Sequence, residues 1–206
     1  MSDDANTIEY RPIIADGNHQ LFDKSELHHK QFPGDYRQVR YFALLVTQIA
    51  PSTIQDVNIL QQQVCELLRN AIKHGNKLDS QKHVDVWYGF SPTSAHVIVQ
   101  DQGQGFAELD AWNEFNRKRL EHLNQRDFAA LADYVSFRSI QSDTDDGGNA
   151  LFAAVEYWNG GVVFNDARNA VAVWRNFASK RYSRPLLSLA QPDDSLEERA
   201  IEVHDL

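Results

Sequence analysis

The chain has 206 residues, 42% of them hydrophobic and 11% aromatic, which is enough to bury one sizeable core. Its formal net charge of −9 disfavours a nucleic-acid binder, which needs a basic surface to displace counterions from phosphate. The sequence shows no secretory signal pattern, no apolar run of roughly 20 residues for a membrane span and a single cysteine, so we expect a cytoplasmic protein without a membrane anchor.

The N-terminal part of the chain, residues 1–34, is polar and only weakly periodic. Within it, the stretch 26–32 (ELHHKQF) fits an edge strand that stops at a Pro-Gly turn. Asp35 is then placed to cap a helix, because apolar residues recur at helical spacing from Val39 to Ile49. We interpret residues 1–34 as an extension that precedes the main domain.

The remaining elements follow from hydrophobic period and turn residues. A continuous apolar stripe predicts a second helix that starts near Val57 and ends at Gly75-Asn76. The later pattern predicts, in order, a hairpin of 83–90 with 95–101, helices over 108–123, 127–135 and 149–158, and a hairpin of 161–165 with 170–177.

This order of elements favours two layers, with helices on one face of a mixed, mostly antiparallel sheet. We therefore predict an α+β fold, a two-layer sandwich formed by residues 35–182. The residues from 183 onward contain proline and are acidic, so we expect 183–206 to be a C-terminal tail outside this domain.

Three segments carry residues suited to chemistry, and the first lies on the second predicted helix. Glu66, Asn70 and His74 are spaced four residues apart, so an α-helix places them on one face. A carboxylate and an amide oxygen one turn apart suit a magnesium–phosphate site, since Asn is a neutral oxygen ligand and Glu can accept a proton. Ordinary polar residues on a solvent-facing helix surface are the alternative interpretation.

The second segment, Asp101-Gln-Gly103-Gln-Gly105-Phe106, directly follows a predicted strand. Glycines there let the backbone approach a flat ligand closely, and the carboxylate can accept a hydrogen bond from an exocyclic amine. The spacing fits neither a dinucleotide-binding fingerprint nor a P-loop, and a glycine-rich turn by itself is common after strands.

The third segment, Asp145-Asp-Gly147-Gly148-Asn-Ala150, opens a predicted helix. Backbone amides at a helix N-terminus that follows paired glycines form a cradle for an anion. The alternative interpretation of this segment is a capped helix start without a ligand.

In this order, ELLRNAIKHGN, DQGQGF and DDGGNAL resemble the three boxes of the GHKL ATP-binding superfamily, which includes gyrase, histidine kinases and mismatch-repair ATPases. The finer pattern is similar to that of the anti-sigma-factor serine/threonine kinases, and the resemblance covers roughly residues 35–177. It implies the Bergerat ATP-binding fold, with ATP and Mg²⁺ as cofactors.

The resemblance also implies roles for the residues of the first box. Glu66 matches the general base that activates the attacking hydroxyl group, and Asn70 matches the magnesium ligand. Lys73 stands where histidine kinases of the superfamily often place a basic residue that contacts phosphate. A solvated lysine is the alternative interpretation of Lys73.

The two glycine boxes receive their roles in the same way. Asp101 matches the residue that recognises the adenine amine, and Gly103 and Gly105 match the glycines that flank the nucleotide. Gly147 and Gly148 match the hinge and phosphate cradle of a mobile lid, which we expect between Phe106 and Gly147.

The activity that the resemblance implies is that of a serine/threonine protein kinase that regulates transcription by partner switching. Such a kinase phosphorylates a small antagonist protein of the STAS type in one state and binds a sigma factor, or another effector, in the other. The resemblance further implies a homodimer.

Two departures from the family pattern support a different function. Ala150 stands where the family usually has a glycine, and its methyl group can crowd a backbone that binds phosphate. Asp143, Asp145 and Asp146 repel phosphate unless magnesium or an arginine such as Arg138 compensates. The alternative is therefore a module that senses nucleotide, or binds none, and sequesters a partner without kinase activity.

Overall fold

A computed structural model describes residues 7–137 and 150–178 of the chain. The strands are β1 (Ile14–Ala15), β2 (His28–Pro33), β3 (His83–Ser91), β4 (Ser94–Gln100), β5 (Gly161–Phe164) and β6 (Ala170–Asn176). The helices are α1 (Val39–Thr47), α2 (Val57–Asn70), α3 (Leu109–Gln125), α4 (Phe128–Leu131) and α5 (Ala150–Tyr157). These elements follow the predicted order, although the helix expected over 127–135 is the short α4 followed by a 3₁₀ turn, Ala132–Tyr134.

The described strands form a six-stranded sheet in the order β1-β5-β6-β4-β3-β2. β1 pairs with β5 in parallel, and every other neighbouring pair of described strands is antiparallel. Both predicted hairpins are present, and the strand expected near 26–32 lies at an edge as β2. The structure confirms the predicted α+β sandwich with a mixed, mostly antiparallel sheet.

One face of the sheet packs against the helices. Side chains of β3 and β4 alternate between the two faces, as the period of a strand requires. The main core joins the residues on the helix-facing side of these strands to the apolar stripe of α2: Val84, Val86, Val97, Val99, Leu60, Val64 and Leu68. The continuous stripe that predicted α2 is therefore the surface that the helix buries.

The other face of the sheet is partly covered by residues that precede β2. Leu21 packs on Ile98 in a small second cluster, and the backbone oxygen of Leu21 accepts a hydrogen bond from His96 Nε2 at 2.7 Å. Burial lowers the pKa of His96, so the imidazole stays neutral there. The ammonium group of Lys24 lies 3.3 Å from the centre of the Trp87 ring, which extends this cover with a cation–π contact.

The polar N-terminal part supplies both edges of the sheet, because β1 pairs with β5 and β2 pairs with β3. Just before β1, an extended segment lies along α3. The Asn113 side chain accepts a hydrogen bond from the Ile13 N–H (2.9 Å) and donates one to the Ile13 oxygen (2.8 Å). Asn124 makes the same pair of bonds with Ile8 (2.8 and 2.9 Å).

The distance along α3 between Asn113 and Asn124 matches the distance along the extended segment between Ile8 and Ile13. The 11 steps from Asn113 to Asn124 span roughly 16 Å of helix, and the five steps from Ile8 to Ile13 span roughly 16 Å when extended. We call residues 8–13 the N-terminal strap.

A second face of α3 is anchored in the core. Trp112 of α3 is almost fully buried and packs against Phe152 of α5, with ring centres 5.5 Å apart. Arg119 lies over the same Phe152 ring and 3.8 Å from Glu156. The first half of the expected lid is thus a helix with packing contacts on two of its faces. No helix of the described residues is long and apolar enough to cross a membrane.

Candidate functional site

The helix that carries the first box changes its winding near its end. α2 is an α-helix up to Asn70, and Ala71–Gly75 continues it as a π-helix. The Asn76 N–H donates to the Ala71 oxygen at 2.8 Å, the wider spacing of a π-helical turn. Glu66 and Asn70 keep their α-helical spacing, but His74 lies in the wider turn and leaves the four-residue register on which the sequence prediction relied.

This helix ends directly on the carboxylate of the second box. A Cβ atom placed on Gly75 would lie 2.2 Å from Asp101 Cγ and 2.3 Å from Asp101 Oδ2. Glycine is therefore required at position 75, because any side chain would displace Asp101 or the helix end. The structure thus brings the end of the first box and the first residue of the second box together.

Asp101 is largely buried at this junction. Burial raises its pKa to about 6, while the Gly103 N–H, which donates to Oδ1 at 2.7 Å, and the positive charges of Lys82 and Lys77 act in the opposite direction. A carboxylate with so little contact with water strongly favours a hydrogen-bond donor as its partner. It suits recognition of a neutral amine better than an exposed aspartate does.

The two glycines after Asp101 are required because backbone atoms of neighbouring segments lie very close to them. A Cβ atom on Gly103 would lie 2.1 Å from the Gly75 oxygen, and one on Gly105 would lie 2.0 Å from the Ala167 oxygen. Gly105 also has a φ of +84°, which disfavours residues with a side chain. The sequence interpretation invoked close approach to a ligand, whereas these Cβ directions point at neighbouring protein backbone.

The turn between β5 and β6 supports the loop from the other side. The Asp101 N–H donates to the backbone oxygen of Asn169 at 2.9 Å, and Asn169 Nδ2 donates to the backbone oxygen of Asp101 at 3.2 Å. The Phe106 N–H donates to the Arg168 oxygen at 3.0 Å. The glycine loop is thus fixed by the helix end on one side and by the closing hairpin on the other.

Glu66 lies further back on α2, half-buried with 34% of its side chain exposed. Its Oε1 accepts a hydrogen bond from Arg69 Nη1 at 2.5 Å, three residues further along the helix. Asn70 is half-buried one turn after Glu66, and Lys73 is half-buried in the π-helical segment. The structure therefore places the three residues of the first box in sequence along one helix that leads to Asp101.

The structure leaves part of the predicted site undescribed. Gly147 and Gly148 lie outside the described residues, as do the three aspartates that precede them. Ala150 is the first residue of α5. Sequence reasoning missed Gly75 and Asn76 as members of the site, because Gly-Asn after an apolar stripe was interpreted as a helix stop. A short signal was present, since both are the last two residues of the segment ELLRNAIKHGN.

The sequence model of a family described as "Histidine kinase-like ATPase domain" matches residues 32–154. Among curated proteins, none matches this chain. The match spans more than half of the chain and includes Glu66, Asn70 and the loop from Asp101 to Gly105. The chain therefore belongs to the histidine kinase-like ATPase domain family, which is of the GHKL type, and this membership supports ATP binding.

Proposed function

We propose that this protein is an anti-sigma-factor-type serine/threonine kinase that binds Mg-ATP and transfers phosphate to an antagonist protein of the STAS type. The observation that carries the proposal is the seating of the Asp101 carboxylate on Gly75, at the end of the helix that bears Glu66 and Asn70. This arrangement combines an amine-recognising carboxylate with a base and a hard-oxygen ligand on one rigid element.

The residues at Asp101 fit an adenine ring. Asp101 Oδ1 is held by the Gly103 N–H, and the carboxylate as a whole accepts hydrogen bonds. The exocyclic amine of adenine is a neutral donor, which satisfies a buried acceptor without a second charge. Asp101 would therefore select the base, with Gly103 and Gly105 keeping the loop in place.

The residues also fit magnesium, provided that phosphate oxygens and water supply most of its ligands. Among the described residues, no group of three or more His, Cys, Asp or Glu side chains is arranged to hold a metal ion. Magnesium commonly takes one or two protein ligands and completes its octahedron with phosphate oxygens and water. Asn70 would supply the amide oxygen for such an ion, and Lys73, Gly147 and Gly148 are proposed to contact the phosphates.

Glu66 is the proposed general base. Bound ATP supplies the phosphoryl group that the reaction transfers. Glu66 would accept the proton of the attacking serine or threonine hydroxyl group as the new oxygen–phosphorus bond forms and the bond from the γ-phosphorus to the leaving ADP oxygen breaks. Because Oε1 accepts the hydrogen bond from Arg69, we propose that the other oxygen, Oε2, accepts the proton. Arg69 holds the Glu66 carboxylate in one orientation and is therefore a positioning residue for the base.

The test is incubation of the protein with labelled ATP and candidate STAS-type domains from the same genome. The wild type is expected to label one of them, and Glu66→Gln is expected to reduce the rate by about 10²–10⁴-fold with nucleotide affinity nearly unchanged. Glu121→Gln is the matched control, because Glu121 also pairs with an arginine on a helix, Arg117, but is far from the boxes in the sequence. Equal rates for wild type and Glu66→Gln would refute the base assignment.

One alternative function has support from the sequence and from the structure. Ala150 departs from the family pattern, and Glu66 is already paired with Arg69. Both features fit a module that binds nucleotide or a partner without transferring phosphate. This function predicts no labelling of any STAS-type domain by the wild type and no measurable effect of Glu66→Gln.

The partners and the setting of this kinase are part of the proposal and rest on the resemblance. The proposal expects a homodimer that acts in the cytoplasm on a STAS-type antagonist and a sigma factor. Size-exclusion chromatography with light scattering tests the dimer, and co-purification of the tagged protein with a sigma factor tests the second partner.

A further inference from the structure

The buried polar residue that follows the π-helix, Asn76, has no place in the proposed chemistry. Its solvent exposure is 0%, which is rare for an asparagine and requires that its amide be hydrogen-bonded. Asn76 Nδ2 donates to the His83 oxygen at 2.9 Å, and Asn76 Oδ1 accepts from the Gln102 N–H at 2.8 Å. One side chain thus joins the helix end, the start of β3 and the glycine loop.

A third bond closes this arrangement into a ring. The His83 N–H donates to Gln102 Oε1 at 2.9 Å. Asn76, His83 and Gln102 are therefore each bonded to the other two, and each bond joins a different pair of chain segments. We call these residues the amide ring. A closed set of bonds between three segments restricts their relative movement more than the same bonds made separately.

Two members of the amide ring are the direct sequence neighbours of the residues that meet at the candidate site. Asn76 follows Gly75, and Gln102 follows Asp101. The ring therefore lies immediately beside the contact between Gly75 and the Asp101 carboxylate. It also borders a strained turn, since Lys77 and Leu78 both have a φ of 58°, and such strain persists only where the surrounding structure holds it.

We propose that Asn76 and Gln102 are positioning residues of the nucleotide site, because their hydrogen-bonded ring with His83 holds the Asp101 carboxylate against Gly75. The inference rests on the proposed nucleotide site and adds residues that do not touch the ligand themselves. Without the ring, the loop can move away from the helix end, and Asp101 becomes hydrated. The base-recognising carboxylate then loses its fixed direction.

The test uses Gln102, because its side chain is exposed and its replacement leaves the core intact. Gln102→Met keeps the length of the side chain and removes the acceptor for the His83 N–H. Gln104→Met is the matched control, being the same change at another exposed position of the same loop. Gln102→Glu restores an acceptor oxygen and serves as the rescue variant.

The first readout needs no nucleotide. Carbon NMR of the Asp101 carboxyl group follows its pKa, which burial raises to about 6 in the intact site. We expect Gln102→Met to lower this pKa toward the ordinary value of 3.8, and Gln104→Met to leave it unchanged. Lys77 and Lys82, the charged groups near Asp101, are the same in the wild type, in Gln102→Met and in Gln104→Met, the three proteins that this readout compares. An unchanged Asp101 pKa in folded Gln102→Met would overturn the proposal.

The second readout is nucleotide affinity by calorimetry. Gln102→Met is expected to weaken ADP by about two- to ten-fold, the worth of one hydrogen bond, and Gln102→Glu to recover most of that loss. If the wild type binds no nucleotide, the proposed function fails, while the pKa comparison still decides the role of the ring. Equal ADP affinity in Gln102→Met and Gln104→Met would overturn the positioning role.

Discussion

The backbone of Gly75 packs directly on the side chain of Asp101, and nothing larger than a hydrogen atom fits between them. The contact joins the end of a helix to the loop after a strand, which are 26 residues apart in the sequence, 75 to 101. It also removes water from one side of the carboxylate. The same contact therefore fixes where Asp101 points and raises its pKa.

Gly75→Ala is the direct test of this contact. In an ordinary helix this change stabilises by about 0.5–1 kcal/mol, because alanine loses less conformational freedom on folding. Here the new methyl group would lie 2.2 Å from Asp101 Cγ, so we expect a loss of about 1–3 kcal/mol from overpacking. Thermal unfolding and ADP titration should show a lower melting temperature and at least about ten-fold weaker binding.

Gly89→Ala is the control for Gly75→Ala. A Cβ atom on Gly89 would lie 2.9 Å from the end of the Leu27 side chain, which can move aside. ADP binding should be unaffected by this change, because Gly89 lies near the end of β3 that leads to the β3–β4 turn, six residues from His83 at the start of the strand. A stabilised Gly75→Ala with normal ADP affinity would show that the helix end and Asp101 do not constrain each other.

A second prediction concerns the stability of Asp101→Asn at different pH values. A carboxyl whose pKa is raised from 3.8 to about 6 in the folded state binds protons more tightly there than in the unfolded chain. Its favourable contribution is complete below pH 3.8 and is lost as the pH rises through 6. Asparagine avoids this loss and can still accept the bond from the Gly103 N–H.

Asp101→Asn should therefore be more stable than the wild type at pH 7.5, by about 1–2 kcal/mol after allowance for partial exposure. The difference should disappear near pH 4. Urea unfolding at several pH values measures it, with Asp110→Asn as control, since Asp110 is exposed. A destabilised Asp101→Asn at pH 7.5 would contradict the assigned burial cost.

The sequence predicted those features that depend on local period and on short motifs. The apolar stripe from Leu60 to Leu68 and the alternation in β3 and β4 fixed the helix, the hairpin and the face that each buries. The fold class and the position of the glycine loop followed from them. These patterns are local, because a helix or a strand buries one face whatever it packs against.

The amide ring and the strap could not be predicted in this way. The bond between Ile13 and Asn113 joins residues 100 positions apart, and each of them is unremarkable in its own segment. The sequence pattern predicts only that Asn76 ends a helix, whereas in the structure this residue is fully buried. Long-range hydrogen bonds of single polar side chains leave no periodic signal in the sequence, so only the folded structure shows them.

A third prediction concerns the strap. Asn113→Ala removes both bonds to Ile13, so hydrogen exchange of the Ile13 amide should become faster, and unfolding should cost about 1–3 kcal/mol less. Asn124→Ala should speed exchange at Ile8 with a smaller effect on stability, because its bonds are exposed. Gln125→Ala is the control on the same helix, since Gln125 is exposed. Unchanged exchange at Ile13 would mean that the strap is not held by Asn113.

The last prediction uses pH to test base recognition by Asp101. An ionised carboxylate accepts the amine of adenine, whereas a protonated one has lost part of its acceptor capacity. Because the pKa of Asp101 is about 6, the ionised fraction is nearly complete at pH 7.5 and small at pH 5. ADP binding should weaken over this range.

Inosine diphosphate separates this effect from the titration of the phosphates, because it carries the same phosphates and lacks the exocyclic amine. The preference for ADP over inosine diphosphate should be about ten- to a hundred-fold at pH 7.5, the worth of one charge-assisted hydrogen bond. It should fall toward one as the pH drops through 6, and Asp101→Asn should show a weak preference that does not change with pH. Calorimetry with both nucleotides at pH 5 and 7.5 makes the comparison, and a preference that stays constant in the wild type would remove Asp101 from base recognition.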